Sequence, residues 1–287
     1  FLSSPRVDLE GEYAEEVRGH MVAALVERGA FQEALVKMES IQQHSPGLTY
    51  FKARALYGAY VEPGEPLPEG TMRPSDMISE VLPHLKGEEK VMAEYVRCQD
   101  LFEIGAMDQA SVLLKALVDG EQRFRHAEEV KFLYARSLYH LPEGQYREAL
   151  DIFEELAQKH PQSIRLSRYF FWQGECHFEI NQLSEAENAF KKALAVTQEP
   201  ETKVDLYYNL GWLYVAMGRL DEGIRQLEMV LAEPISISDR YQSSSRYKLA
   251  SIRLMQKQPE VCREVLQPIL KDSALEHEAS LLSAQAS

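Results

Sequence analysis

The sequence predicts an all-α solenoid of about seven helix-turn-helix repeats, and two observations carry that prediction. One turn pattern recurs six times, at 29–41, 105–117, 144–156, 181–193, 218–231 and 257–269. Its small residue recurs in steps of 76, 39, 37, 37 and 39 residues, at Ala34, Ala110, Ala149, Ala186, Gly223 and Cys262. Self-similarity at a fixed period of about 20 to 50 residues is the sequence signature of stacked repeats.

The first step is twice the usual period, so a further repeat with an altered second helix should lie between 41 and 105. Residues 48–61 have the pattern of a helix, 62–74 form a loop rich in proline and glycine, and 75–85 read as a second helix capped by Ser75. Pro83 and Pro268 fall late in second helices, where proline should kink or end them.

The predicted repeats lie near 12–47, 48–87, 88–120, 121–162, 163–200, 201–236 and 237–272. We expect residues 1–11 to form an extended arm. Residues 273–287 read as a capping helix or as the start of an eighth repeat, and the polar residues on the apolar face favour the cap.

The first helix of each pair also carries a residue that is small in most repeats: Val22, Ala55, Cys98, Ala135, Gly174, Gly211 and Ala250. Two helices joined by a short turn approach closely only where the contact residues are small. We therefore expect Gly211 to face Gly223, and we expect Cys98 and Cys262 to be buried substitutes for alanine.

This unit length and residue pattern resemble the tetratricopeptide repeat, whose signature is W-x2-L-G-x2-Y, then A-x3-F, then P. The sixth repeat matches it with Leu210, Gly211 and Tyr214, and the fourth matches it with Ala149 and Phe153, followed by proline at 161. The resemblance covers 12–272, with Val22 and the 62–74 loop as departures. It implies a right-handed superhelix whose first helices line a concave groove that holds a peptide or helix of a partner protein.

The resemblance also implies which side chains line that groove. They are Lys52, Tyr95, Gln99, Phe132, Arg136, Arg168, Phe171, Glu175, Tyr208, Trp212, Tyr247 and Lys248. Five of them form a ladder of aromatic residues that either contact the partner or pack between repeats. Trp212 is the strongest candidate for contact, because the family usually has a small or polar residue there.

One family subclass clamps the C-terminal carboxylate of chaperones. Asn209 and Lys248 fit that clamp, but Phe171, Glu175 and Ser244 stand at its other positions, so we do not expect chaperone-tail binding. The stretch 175–179, ECHFE, invites a metal site. On a helix, however, its cysteine and histidine point away from Glu175, which favours a structural role.

Composition narrows the partner class. The net charge of −14 opposes binding to nucleic-acid phosphates. The longest apolar runs are a few residues, so we expect no membrane insertion. No nucleotide-binding or hydrolase motif is present, and we expect neither a cofactor nor a metal.

The three cysteines favour a reducing cytoplasm, while a bacterial periplasm or cell envelope stays an alternative. Because residue 1 is phenylalanine, we expect the chain to be a piece of a longer protein. We interpret it as a non-catalytic scaffold or adaptor for a protein partner. The alternatives are a regulatory or substrate-delivery adaptor of an enzyme system and a self-associating subunit of a larger complex.

Overall fold

The structure, a computed structural model, describes residues 12–41, 45–120, 126–270 and 276–286. The predicted arm at 1–11 lies outside these residues. Within them the secondary structure is helical, with fifteen α-helices and no β-strand. The chain divides into two compact units, Phe1–Gln145 and Tyr146–Ser287.

The first unit holds α1 (Glu12–Glu27), α2 (Phe31–Met38), α3 (Pro46–Leu56), α4 (Pro74–Val81), α5 (Gly87–Glu103), α6 (Met107–Asp119) and α7 (Ala127–Tyr139). Each helix packs on the next one along the chain. The alternate helices α1, α3, α5 and α7 also pack on one another in sequence. Contacts limited to near neighbours are the pattern of a solenoid.

The second unit holds α8 (Tyr146–Lys159), α9 (Leu166–Glu179), α10 (Leu183–Val196), α11 (Pro200–Ala216), α12 (Leu220–Ala232), α13 (Ile235–Met255), α14 (Pro259–Leu266) and α15 (Glu276–Gln285). Consecutive helices pack here as well, and α13 packs on both α11 and α15. Ala279 and Leu282 of α15 are buried with Cys262 and Leu266 of α14. The predicted all-α solenoid is confirmed.

The recurring turn pattern begins with a residue in the left-handed backbone region. Its φ angles are 76° at Gly29, 76° at Gly105, 39° at Gly144, 60° at Asn181, 74° at Gly218 and 58° at Lys257. Glycine reaches this region without a Cβ clash, and asparagine tolerates it better than most residues. Backbone geometry therefore explains why glycine recurs at this point of the pattern.

The positions predicted to be small at helix crossings are buried. Even Val22, which departs from the family pattern, has no exposed surface. Cys98 and Cys262 are buried free thiols, as predicted, and Cys176 is a third. Burial raises the pKa of the Cys98 and Cys176 thiols to about 12, so both are held as neutral thiols.

The second repeat differs from the expectation in how its helices begin and end. The helix predicted at 48–61 continues past α3 as a π-helical turn, Tyr57–Val61. The cap assigned to Ser75 is wrong, since Arg73 is the N-cap residue and Pro74 opens α4. The amide of Ser75 donates instead to Asp100 Oδ2 at 2.9 Å. A carboxylate from α5 thus satisfies a helix start that the local sequence leaves open.

Both late prolines act as predicted. The regular part of α4 ends at Val81, and a 3-10 turn that contains Pro83 follows. In the same way α14 ends at Leu266, and Pro268 sits in the next 3-10 turn. Proline lacks the amide hydrogen that would continue the α-helical bonding.

Candidate protein-binding surface

Helix α11 presents two aromatic side chains on one face. Tyr208 and Trp212 are four residues apart, which places them one above the other on a helix. Their ring centroids lie 6.1 Å apart in an edge-to-face arrangement. Trp212 is 38% exposed, whereas Tyr208 is half-buried and packs against the buried cluster that contains Leu227 and Leu249. The Tyr208 ring is therefore held by the core, whereas the Trp212 ring is accessible to solvent.

A side chain of helix α13 contacts each of these two rings. Tyr241 stacks on Tyr208, with centroids 4.3 Å apart and planes 23° apart. The Nζ atom of Lys248 lies 3.6 Å from the centroid of the Trp212 ring. We name this surface, formed by Tyr208, Trp212, Tyr241 and Lys248, the α11–α13 face.

The ammonium group of Lys248 is partly desolvated. Burial lowers the pKa of its amine, because a buried ammonium loses water. The indole face of Trp212 offsets part of this loss through a cation–π contact, which strengthens as water is removed. The α11–α13 face thus combines aromatic area with one partly desolvated cation.

The sequence singled out Tyr208, Trp212 and Lys248, and the structure brings these three together. The sequence analysis did not identify Tyr241, because this residue precedes the groove positions of the predicted seventh repeat. The missing information is the length of α13, which begins at Ile235 and runs for 21 residues. A helical reading that continued upstream from Lys248 would have placed Tyr241 seven residues away on the same face.

The other predicted residues of the second unit have different surroundings. Arg168 is exposed and pairs with Glu199 at 3.7 Å. Phe171 is half-buried and packs on Trp172 and Phe190, with centroids 5.4 and 5.9 Å away.

Glu175 on α9 is half-buried. Tyr247 is also half-buried, and it packs against the core of α13, α14 and α15. The two residues keep part of their surface in solvent and stay candidate contact residues.

In the first unit, two aromatic residues of the predicted ladder are buried between helices. Tyr95 and Phe132 are each only 8% exposed and belong to the core. Tyr95 stacks on His126 at 5.6 Å, and Arg136 lies over the Phe102 and Phe132 rings at 4.5 and 5.8 Å. The two aromatic residues fill space between helices and offer little area to a partner.

Gln99 and Lys52 are half-buried in the same unit. Lys52 lines a cavity of about 320 Å³ together with Leu56, Tyr60 and Pro68. Pro68 comes from the inserted loop of the second repeat, so this loop shapes the surroundings of Lys52.

The ECHFE stretch has the geometry of a structural segment. Cys176 is buried, and the Nδ1 atom of His177 lies 2.8 Å from Gln182 Oε1. In the part of the chain that the structure describes, no three potential metal ligands come together. Across the same residues, no helix is long and apolar enough to cross a bilayer.

Comparisons with known proteins agree with the repeat pattern. Two tetratricopeptide-repeat family models match residues 140–203 and 204–231. The curated proteins give no match.

Several solved structures share the fold at low sequence identity. The apo form of RapI is 11% identical, with 94% of this chain and 81% of that chain covered and a TM-score of 0.67. A Rap protein complexed with Competence and Sporulation Factor is 15% identical, with 95% and 80% covered and a TM-score of 0.62.

A chain of the APC/C hetero-tetramer Cut9-Hcn1 is 16% identical over 98% of this chain, with a TM-score of 0.61, and this chain spans half of it. The recurring turn, the buried small residues at the helix crossings and the matched family models lead to one assignment. Residues 140–231 of this chain are tetratricopeptide repeats.

Proposed function

We propose that this chain is a non-catalytic scaffold or adaptor that binds a peptide or helical segment of a partner protein on the α11–α13 face. The observation that carries the proposal is Trp212, a large aromatic residue that is 38% exposed while its neighbours hold it from two helices. Tryptophan and tyrosine dominate the residues that contribute most to protein interfaces. Side chains already fixed by packing lose less entropy on binding.

The fold supports a protein partner more generally. A Rap protein of similar fold was solved in complex with Competence and Sporulation Factor, and a chain of similar fold belongs to a hetero-tetramer. Arg168, Phe171 and Glu175 on α9 and Tyr247 on α13 are candidates to extend the contact. They are exposed or half-buried, unlike Tyr95 and Phe132.

The test compares two exposed residues of the second unit. Trp212→Ala removes the indole from the α11–α13 face, while Met229→Ala truncates a 43% exposed residue on α12. Each variant is used as bait, and captured proteins are quantified by mass spectrometry against the wild type. We expect at least one partner to fall about tenfold or more with Trp212→Ala and to be kept with Met229→Ala.

Circular dichroism checks that both variants stay helical. Equal loss of the partners with the two variants, or full retention with both, would contradict the assignment of this face. If the Trp212-dependent partner is a second copy of this chain, the chain is a self-assembling subunit and not an adaptor.

A further inference from the structure

Lys248 is a half-buried base of the second unit that forms no ion pair among the described residues. By contrast, the half-buried Arg219 pairs with Glu187 and Glu222, and the half-buried Arg253 pairs with Glu228. The interaction that the structure shows for Lys248 is its cation–π contact with Trp212. Among the described side chains, no carboxylate accepts a hydrogen bond from Lys248.

Acidic residues outnumber basic residues in this chain. The sequence has 45 acidic residues against 31 lysines and arginines, so internal carboxylates are abundant. The half-buried ammonium of Lys248 nevertheless lies beside the exposed Trp212 and forms no ion pair with a described carboxylate. A carboxylate that approached Lys248 from outside would meet a charge already partly stripped of water, where an ion pair is stronger than at a fully exposed site.

We propose that the α11–α13 face takes an acidic segment of a partner protein, in which a side-chain carboxylate reaches Lys248 and a nearby large apolar side chain lies on Trp212. This inference rests on the proposed function and names the chemistry of its partner. The two anchors lie on neighbouring helices and touch each other. A matching pair of residues three or four apart on a helix, or two apart on an extended strand, can reach both.

The probe is a library of short random peptides, displayed as fusions that leave no free peptide carboxyl end. It is selected separately against wild-type protein, Trp212→Ala and Lys248→Glu. We expect wild-type selection to enrich aspartate or glutamate next to large apolar residues. Lys248→Glu should lose that enrichment and favour lysine or arginine instead, because the charge at the anchor is reversed.

Enriched peptides are then made with amidated C-termini and titrated by calorimetry. Lys248→Gln should weaken binding about tenfold, and Lys248→Arg should largely keep it, since arginine retains both the charge and the stacking on an aromatic ring. The Lys248→Gln effect should shrink as salt is added. Binding that needs a free terminal carboxylate would overturn the assignment of a side-chain carboxylate.

The selection separates this inference from the function on which it rests. Peptides that need Trp212 but show no acidic preference, or whose acidic preference survives Lys248→Glu, would overturn the inference and leave the proposed function standing. If no selected peptide depends on Trp212, both fall together.

Discussion

Gly211 on α11 faces Gly223 on α12, and neither position has room for a side chain. A Cβ atom on Gly211 would lie 2.8 Å from Cδ2 of Leu227, which is fully buried, and a Cβ atom on Gly223 would lie 3.1 Å from the carbonyl oxygen of Gly211. The close crossing of the two helices therefore depends on both glycines. Since α11 carries Tyr208 and Trp212, the same crossing positions the α11–α13 face.

Replacing Gly211 with leucine should destabilise the protein. Removing glycine from a helix gains about 1 kcal/mol. Forcing a side chain into this crossing requires Leu227 and the helices to move, and overpacking of this kind costs about 1–3 kcal/mol or more. We expect the melting temperature of Gly211→Leu to fall by several degrees in thermal circular dichroism.

The control is Gly19→Ala on α1, where an added Cβ atom meets no heavy atom within 4 Å. This variant keeps the gain in helix propensity without the clash, so its stability should stay constant or rise by up to about 1 kcal/mol. A Gly211→Leu protein that melts like the wild type would contradict the crossing.

This crossing could be read from the sequence because it repeats. A small residue at a fixed place in each helix pair identifies the contact without knowledge of its neighbours, and the structure buries each of them. The α11–α13 face was only partly predictable. Tyr241 joins it because α13 is 21 residues long, and nothing in the turn pattern sets the start of that helix.

The aromatic ladder shows a second limit of the sequence. Tyr95 and Phe132 occupy the same repeat position as Tyr208, yet they are buried. The exposure of such a ring depends on what the next helix places over it, as His126 lies on Tyr95. Repeat position alone therefore identifies candidate rings but cannot sort contact residues from core residues.

Lys257 offers a test of the turn geometry. Its φ of 58° is left-handed, although lysine has a Cβ atom and glycine takes this place in several other turns. A residue with a Cβ atom destabilises the folded state by about 1–2 kcal/mol in this conformation. Glycine removes this strain, but its greater conformational entropy in the unfolded state offsets part of the gain. We expect Lys257→Gly to raise the free energy of unfolding by about 0.5–1 kcal/mol in urea titrations.

Lys257→Ala is the matched variant, since it removes the same charge but keeps the Cβ atom. It should bring no such gain. Equal stabilisation by alanine and glycine would show that the lysine charge, and not the backbone, limits stability at this turn.

Asp100 should be essential for the start of α4. Its carboxylate is fully buried, accepts the Ser75 amide at 2.9 Å and pairs with the guanidinium of Arg73 at the end of the inserted loop. Asp100→Ala would leave the buried Ser75 amide without its acceptor and the partly exposed Arg73 without its ion-pair partner. We expect a loss of about 2–3 kcal/mol in the free energy of unfolding. Limited proteolysis should also cut the 62–73 loop faster.

Glu103 lies on the same helix as Asp100 but is exposed, which makes Glu103→Ala the control. It should change stability by less than about 0.5 kcal/mol. Unaltered stability and loop cleavage in Asp100→Ala would contradict the role of this carboxylate as an acceptor for α4.

Glu187 connects three helical segments of the second unit. From α10, its carboxylate accepts hydrogen bonds from Lys191 at 2.6 Å, from the Tyr214 hydroxyl at 3.0 Å and from Arg219 at 2.5 Å. Burial alone would raise the pKa of this carboxyl, but the three hydrogen bonds outweigh it and lower the pKa to about 2. The charged form is thus the one that the fold stabilises.

The sign of the pH dependence follows from this depressed pKa. The stabilisation is fully present above the usual value of 4.5 and is lost as the pH falls from there towards 2. Glu187→Gln should lower the free energy of unfolding at pH 7 by about 1.5–3 kcal/mol and should flatten its decline in acid. The control, Glu185→Gln, changes an exposed residue of the same helix and should keep the wild-type profile. Urea titrations between pH 7 and pH 2.5 measure both effects, and an unchanged acid slope in Glu187→Gln would assign the acid sensitivity to other carboxylates.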